Sequence, residues 1–201
     1  KKINTAIIIG PSGIGNVHLR ELIKFGTQNI GLVGKKFNKT RTHILSKKNK
    51  KIKFYNLISI KKIKDLEPNV INICSPTKNH YAHIIIVKKL CKNLIIEKPI
   101  FWIKNKKKSN FKTAESLLNN NNNRIFINLP MISLAKQIKS KNNLVKIKKL
   151  DFNYFTKGKN NLENIPIDLL PHALSFLFTL NSNSLKSFKI LGIIKDKKFW
   201  S

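Results

Sequence analysis

A glycine-rich turn near the start of the chain joins an apolar run to an amphipathic segment, within IIIGPSGIGNVHLREL at residues 7–22. Residues 4–9 form the apolar run, as expected of a strand that is buried on both faces of a sheet. The segment after the turn has apolar residues at helical spacing and stops at Gly26. A buried strand, a tight turn and a helix in this order predict the first unit of a parallel sheet.

The first hundred residues continue to alternate between short apolar runs and helical patterns. Further strands are predicted at 29–34, 51–55, 70–74 and 93–99, and helices between them at 38–47, 59–68 and 80–91. Strands that are separated by helices pair in parallel through right-handed crossovers. The predicted fold class is therefore α/β, with an N-terminal Rossmann domain, a doubly wound parallel sheet, over residues 1–119.

The pattern becomes more polar after residue 99. The low-complexity run NNNNN at 119–123 predicts an exposed turn near a domain boundary. Strand patterns follow at 124–130, 144–156 and 185–194, and an apolar helix is predicted at 165–180. The long alternating run at 144–156 suits an exposed antiparallel strand. We expect residues 120–201 to form a shortened α+β domain with an antiparallel or mixed sheet, which could also support a homo-oligomer.

The chain is strongly basic, with 40 basic and 9 acidic residues and a formal net charge of +31. Such a field attracts anionic ligands, and a polyanion partner would gain from counterion release. Only three of the basic residues are arginines, however, and arginine is the side chain that most often reads bases. The remainder is lysine in a chain rich in Ile and Asn, so A- and T-rich codons can account for the charge. A nucleic-acid-binding protein is therefore the disfavoured alternative, carried by the basic and aromatic segments at 104–112 and 146–157.

Composition also bears on the compartment. Hydrophobic residues make up 41% of the chain, which excludes a disordered protein. Cys74 and Cys91 are the only cysteines, and both fall within apolar patterns, as expected of buried thiols in a reducing compartment. No apolar run approaches the roughly 20 residues that span a bilayer, and the N-terminal run is too short for a signal peptide. We expect a cytoplasmic protein without a membrane partner.

The glycine turn has the elements of an anion site, because backbone N–H groups and the helix dipole meet at a helix N-terminus. The dinucleotide pattern G-x-G-x-x-G has its middle glycine where this chain has Ser12, a small residue whose hydroxyl could bond a phosphate. An ordinary strand-to-helix turn is the alternative. A short-chain reductase is excluded, since no tyrosine is followed four residues later by lysine. The residues predicted to bind a cofactor here are Gly10, Ser12, Gly13, Ile14 and Gly15.

The end of the second predicted strand bears on which cofactor is bound. NAD-binding sheets place an acidic residue there, which holds the ribose 2′-hydroxyl. This chain has Gly34, Lys35 and Lys36 at that point, with Arg41 a helical turn later. A basic group without a carboxylate accepts a 2′-phosphate, so NADP(H) is favoured over NAD(H), although lysine is frequent everywhere in this sequence.

Four motifs occur in the order seen in the glucose–fructose oxidoreductase / inositol dehydrogenase / MocA family, namely IIIGPSGIGNVH, VINICSPTKNHYAH, NLIIEKP and IDLLPHAL. The first resembles the glycine turn of that family, with Ser12 for the second glycine and His18 as the closing residue. Residues 97–99 resemble its E-K-P signature, and residues 168–172 its D-x-x-x-H pair. The resemblance covers residues 4 to about 180.

The resemblance implies an NAD(P)-dependent oxidoreductase that transfers a hydride between a nicotinamide and a hydroxyl or carbonyl of a sugar, cyclitol or nucleotide-sugar-like substrate. Hydride transfer needs one positioned acid/base for the proton on the oxygen. The resemblance gives this role to Lys98, which ends a predicted parallel strand, where open sheets place ligands. It implies that His172 shares the proton transfer or binds the hydroxyl, and that Asp168 holds the substrate or the lysine.

The same resemblance places the loop after the fourth strand along the nicotinamide ribose. It adds to the cofactor-binding residues Ser75, Pro76, Thr77, His80 and Glu97. His80 and His83 are three residues apart, as metal ligands can be, but the sequence offers no third ligand, so no metal site is predicted and His83 is interpreted as structural.

The predicted second domain is short for this family, in which the substrate domain is a large open sheet. The chain also starts at Lys1 rather than at methionine, and it ends abruptly in KDKKFWS. These features predict either a piece of a longer protein or a reduced member of the family. An inactive cofactor-binding remnant is therefore a further alternative to an enzyme.

Overall fold

The computed structural model describes 3–34, 39–57, 59–100, 115–116, 118–119, 123–141 and 165–180 of the 201 residues. The chain divides into two compact units, Lys1–Asn128 and Leu129–Ser201. Lys35 and Lys36 lie outside the described residues, as do the strands predicted at 144–156 and 185–194.

The first unit contains one sheet of six parallel strands in the order β3-β2-β1-β4-β5-β6. The strands are β1 (Thr5–Ile9), β2 (Asn29–Val33), β3 (Lys53–Leu57), β4 (Val70–Ile73), β5 (Asn93–Ile96) and β6 (Arg124–Ile127). The order reverses at β1, whose neighbours are β2 and β4, and this is the strand order of a Rossmann sheet. The predicted α/β fold of the first domain is confirmed, and ligands of such sheets bind where the order reverses, beyond the carboxyl ends of the strands.

The helices of this unit connect successive strands. They are α1 (Ile14–Lys24), α2 (Lys39–Lys48) and α3 (His80–Val87), with 3₁₀ helices at Ile60–Leu66 and Thr77–Asn79. The helix predicted at 59–68 is thus a 3₁₀ helix, which ends at Leu66 and is followed by Glu67 in the left-handed conformation, with φ of 43°, just before Pro68. The helix predicted at 80–91 ends earlier, at Val87.

The core lies on both faces of the sheet because successive strand residues alternate between the faces. One face buries Ile7 and Ile9 with α3, and the other buries Ala6 and Ile8 with α1. Among these apolar residues of the central strands, β4 carries Asn72, which is only 2% exposed. A buried amide inside a strand requires hydrogen-bond partners, and these lead to the functional site described below.

The structure moves the predicted domain boundary. Residues 124–127 form β6, which pairs in parallel with β5 from Asn93 opposite Arg124 to Ile96 opposite Ile127. The first unit therefore extends to Asn128 rather than to residue 119. The sequence analysis places this strand in the second domain because it follows the low-complexity run at 119–123. In the structure its residues alternate between exposed and half-buried, a pattern that an outer strand of a parallel sheet shares with an antiparallel strand.

The second unit is described in two helices, α4 (Pro130–Lys141) and α5 (Ile165–Leu180), which pack against each other. The predicted helix at 165–180 is confirmed, with Pro171 inside it. Helix α4 was not predicted, although it begins with proline, which suits the first position of a helix. The α+β character of this unit stays a prediction. Among the residues described, no helix has both the length and the apolar character needed to cross a membrane.

Candidate functional site

The turn after β1 is built on two glycines that no other residue could replace without a shift. Gly10 has a φ of 84°, and a Cβ there would lie 2.7 Å from the backbone nitrogen of Ser75. A Cβ at Gly15 would overlap the carbonyl oxygen of Gly10. Gly13 also has a positive φ, 53°, but a Cβ there would meet nothing within 4 Å. The turn is therefore closed by the approach of α1 to β1 and β4, which the absence of a side chain at Gly10 and Gly15 permits.

The same turn leaves backbone donors available at the start of α1. The Gly15 N–H donates to Ser12 O and the Asn16 N–H to Gly13 O, at 3.0 Å each. Within the described residues, the N–H groups of Ser12, Gly13 and Ile14 take part in no backbone hydrogen bond. The first turn of α1 also contains no acidic residue. These donors, together with the helix dipole, form a site suited to an anion such as a phosphate.

A cavity of about 820 Å³ opens beside the turn, a volume within the range of ligand pockets, roughly 300–1,000 Å³. It is lined by the end of β1 and the turn after it, the end of β2 with Gly34, residues 74–76 after β4, the start of the first 3₁₀ helix, and Asn79 and His83. Six predicted cofactor residues line it: Gly10, Ser12, Gly13, Gly34, Ser75 and Pro76. The other predicted cofactor residues of the described chain do not: Ile14, Gly15, Thr77, His80 and Glu97.

His83 lies in the cavity lining although the sequence assigned it a structural role. Its Nδ1 is 2.8 Å from the Ser75 hydroxyl oxygen, so the two side chains form one hydrogen-bonded pair. Burial, and then the charge of His80, lower the pKa of His83. The pair therefore offers a neutral imidazole and a hydroxyl to a ligand in the cavity. Sequence spacing alone gave no signal for this, because the contact depends on how α3 follows the loop.

His80 connects two loops instead of lining the cavity. It is 1% exposed, and its Nε2 lies 2.6 Å from the carbonyl oxygen of Ser75. Its Nδ1 lies 3.1 Å from the carbonyl oxygen of Pro99 and 3.2 Å from that of Ile100. His80 thus holds the loop after β4 against the turn after β5, which contains Lys98.

A buried polar cluster of His18, Asn72, Glu97 and Asn128 lies between α1 and the sheet. The amide nitrogen of Asn72 donates to the Ile7 carbonyl at 3.2 Å, which turns the amide oxygen toward His18, 3.0 Å from its Nδ1. The Nε2 of His18 lies 2.7 Å from Oε1 of Glu97. Both ring nitrogens therefore face oxygen acceptors, an arrangement that suits the doubly protonated imidazolium. Asn128, just after β6, donates to the same Glu97 oxygen at 2.6 Å.

The ionisation of the cluster follows from these contacts. Hydrogen bonding to the Cys74 side chain, and next to Glu97, raises the pKa of His18 to about 10 against the opposing effect of burial. Burial alone would raise the pKa of Glu97, but the hydrogen bonds from His18 and Asn128 outweigh it and leave this pKa below its usual value. His18 and Glu97 are accordingly a buried ion pair, with side chains 13% and 8% exposed. Glu97 is thus bound to His18 and is not among the residues that line the cavity.

Lys98 follows Glu97 at the carboxyl end of β5 and is half-buried. Its positive charge contributes to the lowered pKa of Glu97, so the two side chains share one electrostatic environment. The peptide bond from Lys98 to Pro99 is cis. Lys98 is not among the residues that line the cavity, and its role as acid/base stays a prediction.

The other predicted catalytic residues lie in the second unit. Asp168 and His172 are both on α5, and His172 is 6% exposed, while the side chain of Asp168 is outside the described part of the chain. Their roles remain predictions. In the described ranges, no group of three His, Cys, Asp or Glu side chains is placed to hold a metal ion.

The fold and the turn together define a dinucleotide-binding Rossmann protein, because a parallel sheet with its glycine turn and cavity at the reversal of strand order is the arrangement that binds such cofactors. The chain belongs to the GFO/IDH/MocA oxidoreductase family, which has an NAD-binding Rossmann fold and whose model matches residues 4–129. This is the family that its sequence motifs resemble.

Solved structures share the fold. Myo-inositol 2-dehydrogenase from Lactobacillus plantarum is 21% identical with a TM-score of 0.52, over 73% of this chain and 43% of that one. Scyllo-inositol dehydrogenase from Lactobacillus casei is 14% identical with a TM-score of 0.52, over 71% and 43%. The WlbA dehydrogenase from Chromobacterium violaceum, in complex with NADH and UDP-GlcNAcA, is 11% identical with a TM-score of 0.50, over 70% and 41%. The present chain thus matches less than half the length of each. No curated protein sequence matches it.

The His18–Glu97 pair predicts how stability depends on pH. The pKa of His18 rises from an ordinary 6.5 to about 10 on folding, so its stabilising contribution is complete below pH 6.5 and is lost as pH rises through about 10. We expect the free energy of unfolding to fall over this interval more steeply in the native chain than in His18→Gln. Urea unfolding at several pH values measures both slopes, with His43→Gln, an exposed histidine of α2, as the control. Equal slopes for the native chain and His18→Gln would contradict the ion pair.

Proposed function

We propose that this chain acts as an NAD(P)-dependent oxidoreductase, transferring a hydride between a nicotinamide cofactor and a hydroxyl or carbonyl group of a carbohydrate-like substrate. The observation that carries the proposal is the glycine turn with its cavity at the reversal of strand order, in a sheet whose strand β5 is followed by Lys98. Two of the similar structures are inositol dehydrogenases and a third contains UDP-GlcNAcA, which supports a sugar, cyclitol or nucleotide-sugar-like substrate. Because the chain matches less than half of each, substrate and activity are both part of the proposal.

The residues of the cavity fit a dinucleotide. Gly10 and Gly15 let backbone and helix approach closely, and the N–H groups at the start of α1 would bind the pyrophosphate. Ser12, exposed in the turn, would add its hydroxyl, and the Ser75–His83 pair would bond to ribose hydroxyls. The nicotinamide, when bound, accepts or donates the hydride.

The proton that accompanies the hydride is assigned to this chain's own side chains. Lys98 would take the proton from a substrate hydroxyl during oxidation, or return it to the oxygen during reduction. His172 would share this transfer or bind the reacting hydroxyl, and Asp168 would hold the substrate or Lys98. These roles rest on the family motifs at residues 97–99 and 168–172.

The end of β2 supports a preference for NADP(H). Gly34 lines the cavity, and a Cβ there would lie 2.9 Å from Cδ of Pro11. A carboxylate side chain at position 34 would therefore require Pro11 to move, so this position does not favour an acid for the ribose 2′-hydroxyl. Lys35 and Lys36 come next in the sequence and would pair with a 2′-phosphate.

Titration with NADPH and with NADH, followed by nicotinamide fluorescence, tests both statements. Salt is kept high enough to suppress nonspecific attraction to a chain of charge +31. We expect saturable binding, with NADPH favoured by roughly tenfold, or about 1.4 kcal/mol. The double variant Lys35→Glu/Lys36→Glu should reverse the preference, while Lys50→Glu/Lys51→Glu, two lysines that do not line this cavity, should not. A preference for NADH would refute only the 2′-phosphate proposal, whereas absence of binding by both would refute the oxidoreductase.

A second candidate function is cofactor binding without turnover, by an inactive remnant. The observation that favours it is that Lys98, the proposed acid/base, is not among the residues that line the cavity. A homo-oligomer formed through the sheet predicted in the second domain would supply further surface for a substrate. Light scattering of the purified chain, together with a screen of sugars and cyclitols with NADP⁺ and of their carbonyl forms with NADPH, separates these cases. A monomer that binds NADPH and reduces or oxidises nothing in the screen supports the remnant.

A further inference from the structure

We propose that His18 is a positioning residue for Lys98, because its imidazolium binds the Glu97 carboxylate and balances its negative charge. Glu97 in turn anchors the turn that carries Lys98. The proposal rests on the proposed function in that Lys98 is taken as the acid/base. It concerns the buried cluster of His18, Asn72, Glu97 and Asn128, none of which lines the cavity.

The turn that carries Lys98 is held on both sides. Before it, the Glu97 N–H donates to the Ile73 carbonyl at 3.0 Å, while the Glu97 side chain is held by His18 at 2.7 Å and Asn128 at 2.6 Å. After it, the carbonyls of Pro99 and Ile100 lie within 3.2 Å of the His80 ring. Lys98 is the residue between these anchors, so the position of its backbone follows from them.

The positive charge of His18 affects the Lys98 turn as well as its hydrogen bond to Glu97 does. A buried carboxylate requires a compensating charge. Removal of one partner from a buried ion pair leaves the other as an uncompensated charge, with the full desolvation penalty. With the imidazolium present, the charge of Glu97 is balanced inside the cluster. If a neutral side chain replaces His18, Lys98 becomes the main cation whose field acts on Glu97. The carboxylate would then hold the ammonium of Lys98 in its charged form, which is the form that cannot accept a proton.

The position of His18 also links this effect to the cofactor site. His18 lies in the second turn of α1, and the first turn of the same helix closes the glycine turn at Gly15. One short helix therefore contains the proposed phosphate donors at its start and the anchor of Glu97 four residues later. A displacement of α1 would be transmitted to the Lys98 turn through the 2.7 Å contact.

The test measures the titration of Lys98 in the full chain. Lysines are reductively methylated with ¹³C-formaldehyde, and the Lys98 signal is assigned as the one missing from Lys98→Arg. We expect His18→Gln to move the pH midpoint of this signal upward by about one unit, since the charged form gains an unbalanced carboxylate neighbour. The double variant His18→Gln/Glu97→Gln should return the midpoint to near its native position, because the carboxylate is gone. His43→Gln, an exposed histidine of α2, should leave it unchanged.

An unchanged midpoint in folded His18→Gln, or an equal shift in His43→Gln, would overturn the proposal. If His18→Gln does not fold, the double variant and Glu97→Gln replace it, and both should place the midpoint at or below the native value. A rise in either would then count against the proposal. The measurement needs no cofactor and no substrate, so a failure to bind NADPH would refute the proposed function and leave this result standing.

Discussion

Gly15→Ala is expected to abolish detectable dinucleotide binding and to lower the free energy of unfolding by about 3 kcal/mol, the upper range for overpacking a close contact. The reason is the overlap of the new Cβ with the Gly10 carbonyl, with the Cβ of Cys74 only 3.2 Å away. Helix α1 would have to retreat from β1 and β4, and its N–H groups would leave the position where they could meet a phosphate. Fluorescence titration with NADPH and chemical denaturation measure the two effects.

Gly13→Ala is the matched control, because it adds the same methyl group to the same turn. Gly13 has a φ of 53° and a ψ of −119°, but no atom lies within 4 Å of the place that its methyl group would take, so only the backbone strain of a non-glycine residue in this sparsely populated region is added, about 1–3 kcal/mol. We expect this variant to fold and to bind the cofactor with a modest loss of affinity. Equal losses of cofactor affinity in the two variants would show that Gly15 does not act by letting helix α1 approach the sheet closely.

Glu97→Ala should lower the free energy of unfolding by about 3 kcal/mol, near the low end for breaking a buried ion pair because both side chains keep some exposure. The variant leaves the His18 imidazolium without its carboxylate and Asn128 without its acceptor. Chemical denaturation near pH 7, where both groups of the native pair are charged, gives the measurement.

The control for that prediction is Glu21→Ala, which breaks an ion pair with the same nitrogen-to-oxygen distance of 2.7 Å at the surface. Lys24 and Glu21 are 71% and 49% exposed, so the loss should stay within about 0.5 kcal/mol. Comparable losses at positions 21 and 97 would mean that the His18–Glu97 pair contributes no more than a surface contact.

The local elements of the first unit were predictable from the sequence because each carries its own signal. The apolar run before Gly10, the helical spacing after Gly15 and the position of Lys98 at the end of β5 are readable over a few residues. The sequence predicts β6 as a strand but places it after the domain boundary, since an outer strand with one half-buried face does not reveal which strand it pairs with.

The contacts that organise the site were not predictable, because they join residues distant in sequence. His18 was identified as the last residue of the glycine motif, yet its partner Glu97 lies 79 positions further along the chain. The sequence gives two histidines, His80 and His83, with similar surroundings, and only the path of α3 decides that the first binds backbone carbonyls and the second lines the cavity. Tertiary placement, rather than residue type, separates their roles.

The sixth strand has a consequence for how this unit can be divided. Asn128 comes directly after β6 and contributes a hydrogen bond to Glu97, so the outermost strand completes a cluster that begins in the first helix. A shortened gene that stops at residue 119 would keep the glycine turn, the cavity lining, Lys98 and the first three of the four family motifs. Its protein would nevertheless lack one of the two side chains that hold Glu97. The shortest chain that keeps both side chains bound to Glu97, next to the Lys98 turn, therefore ends at Asn128 or beyond.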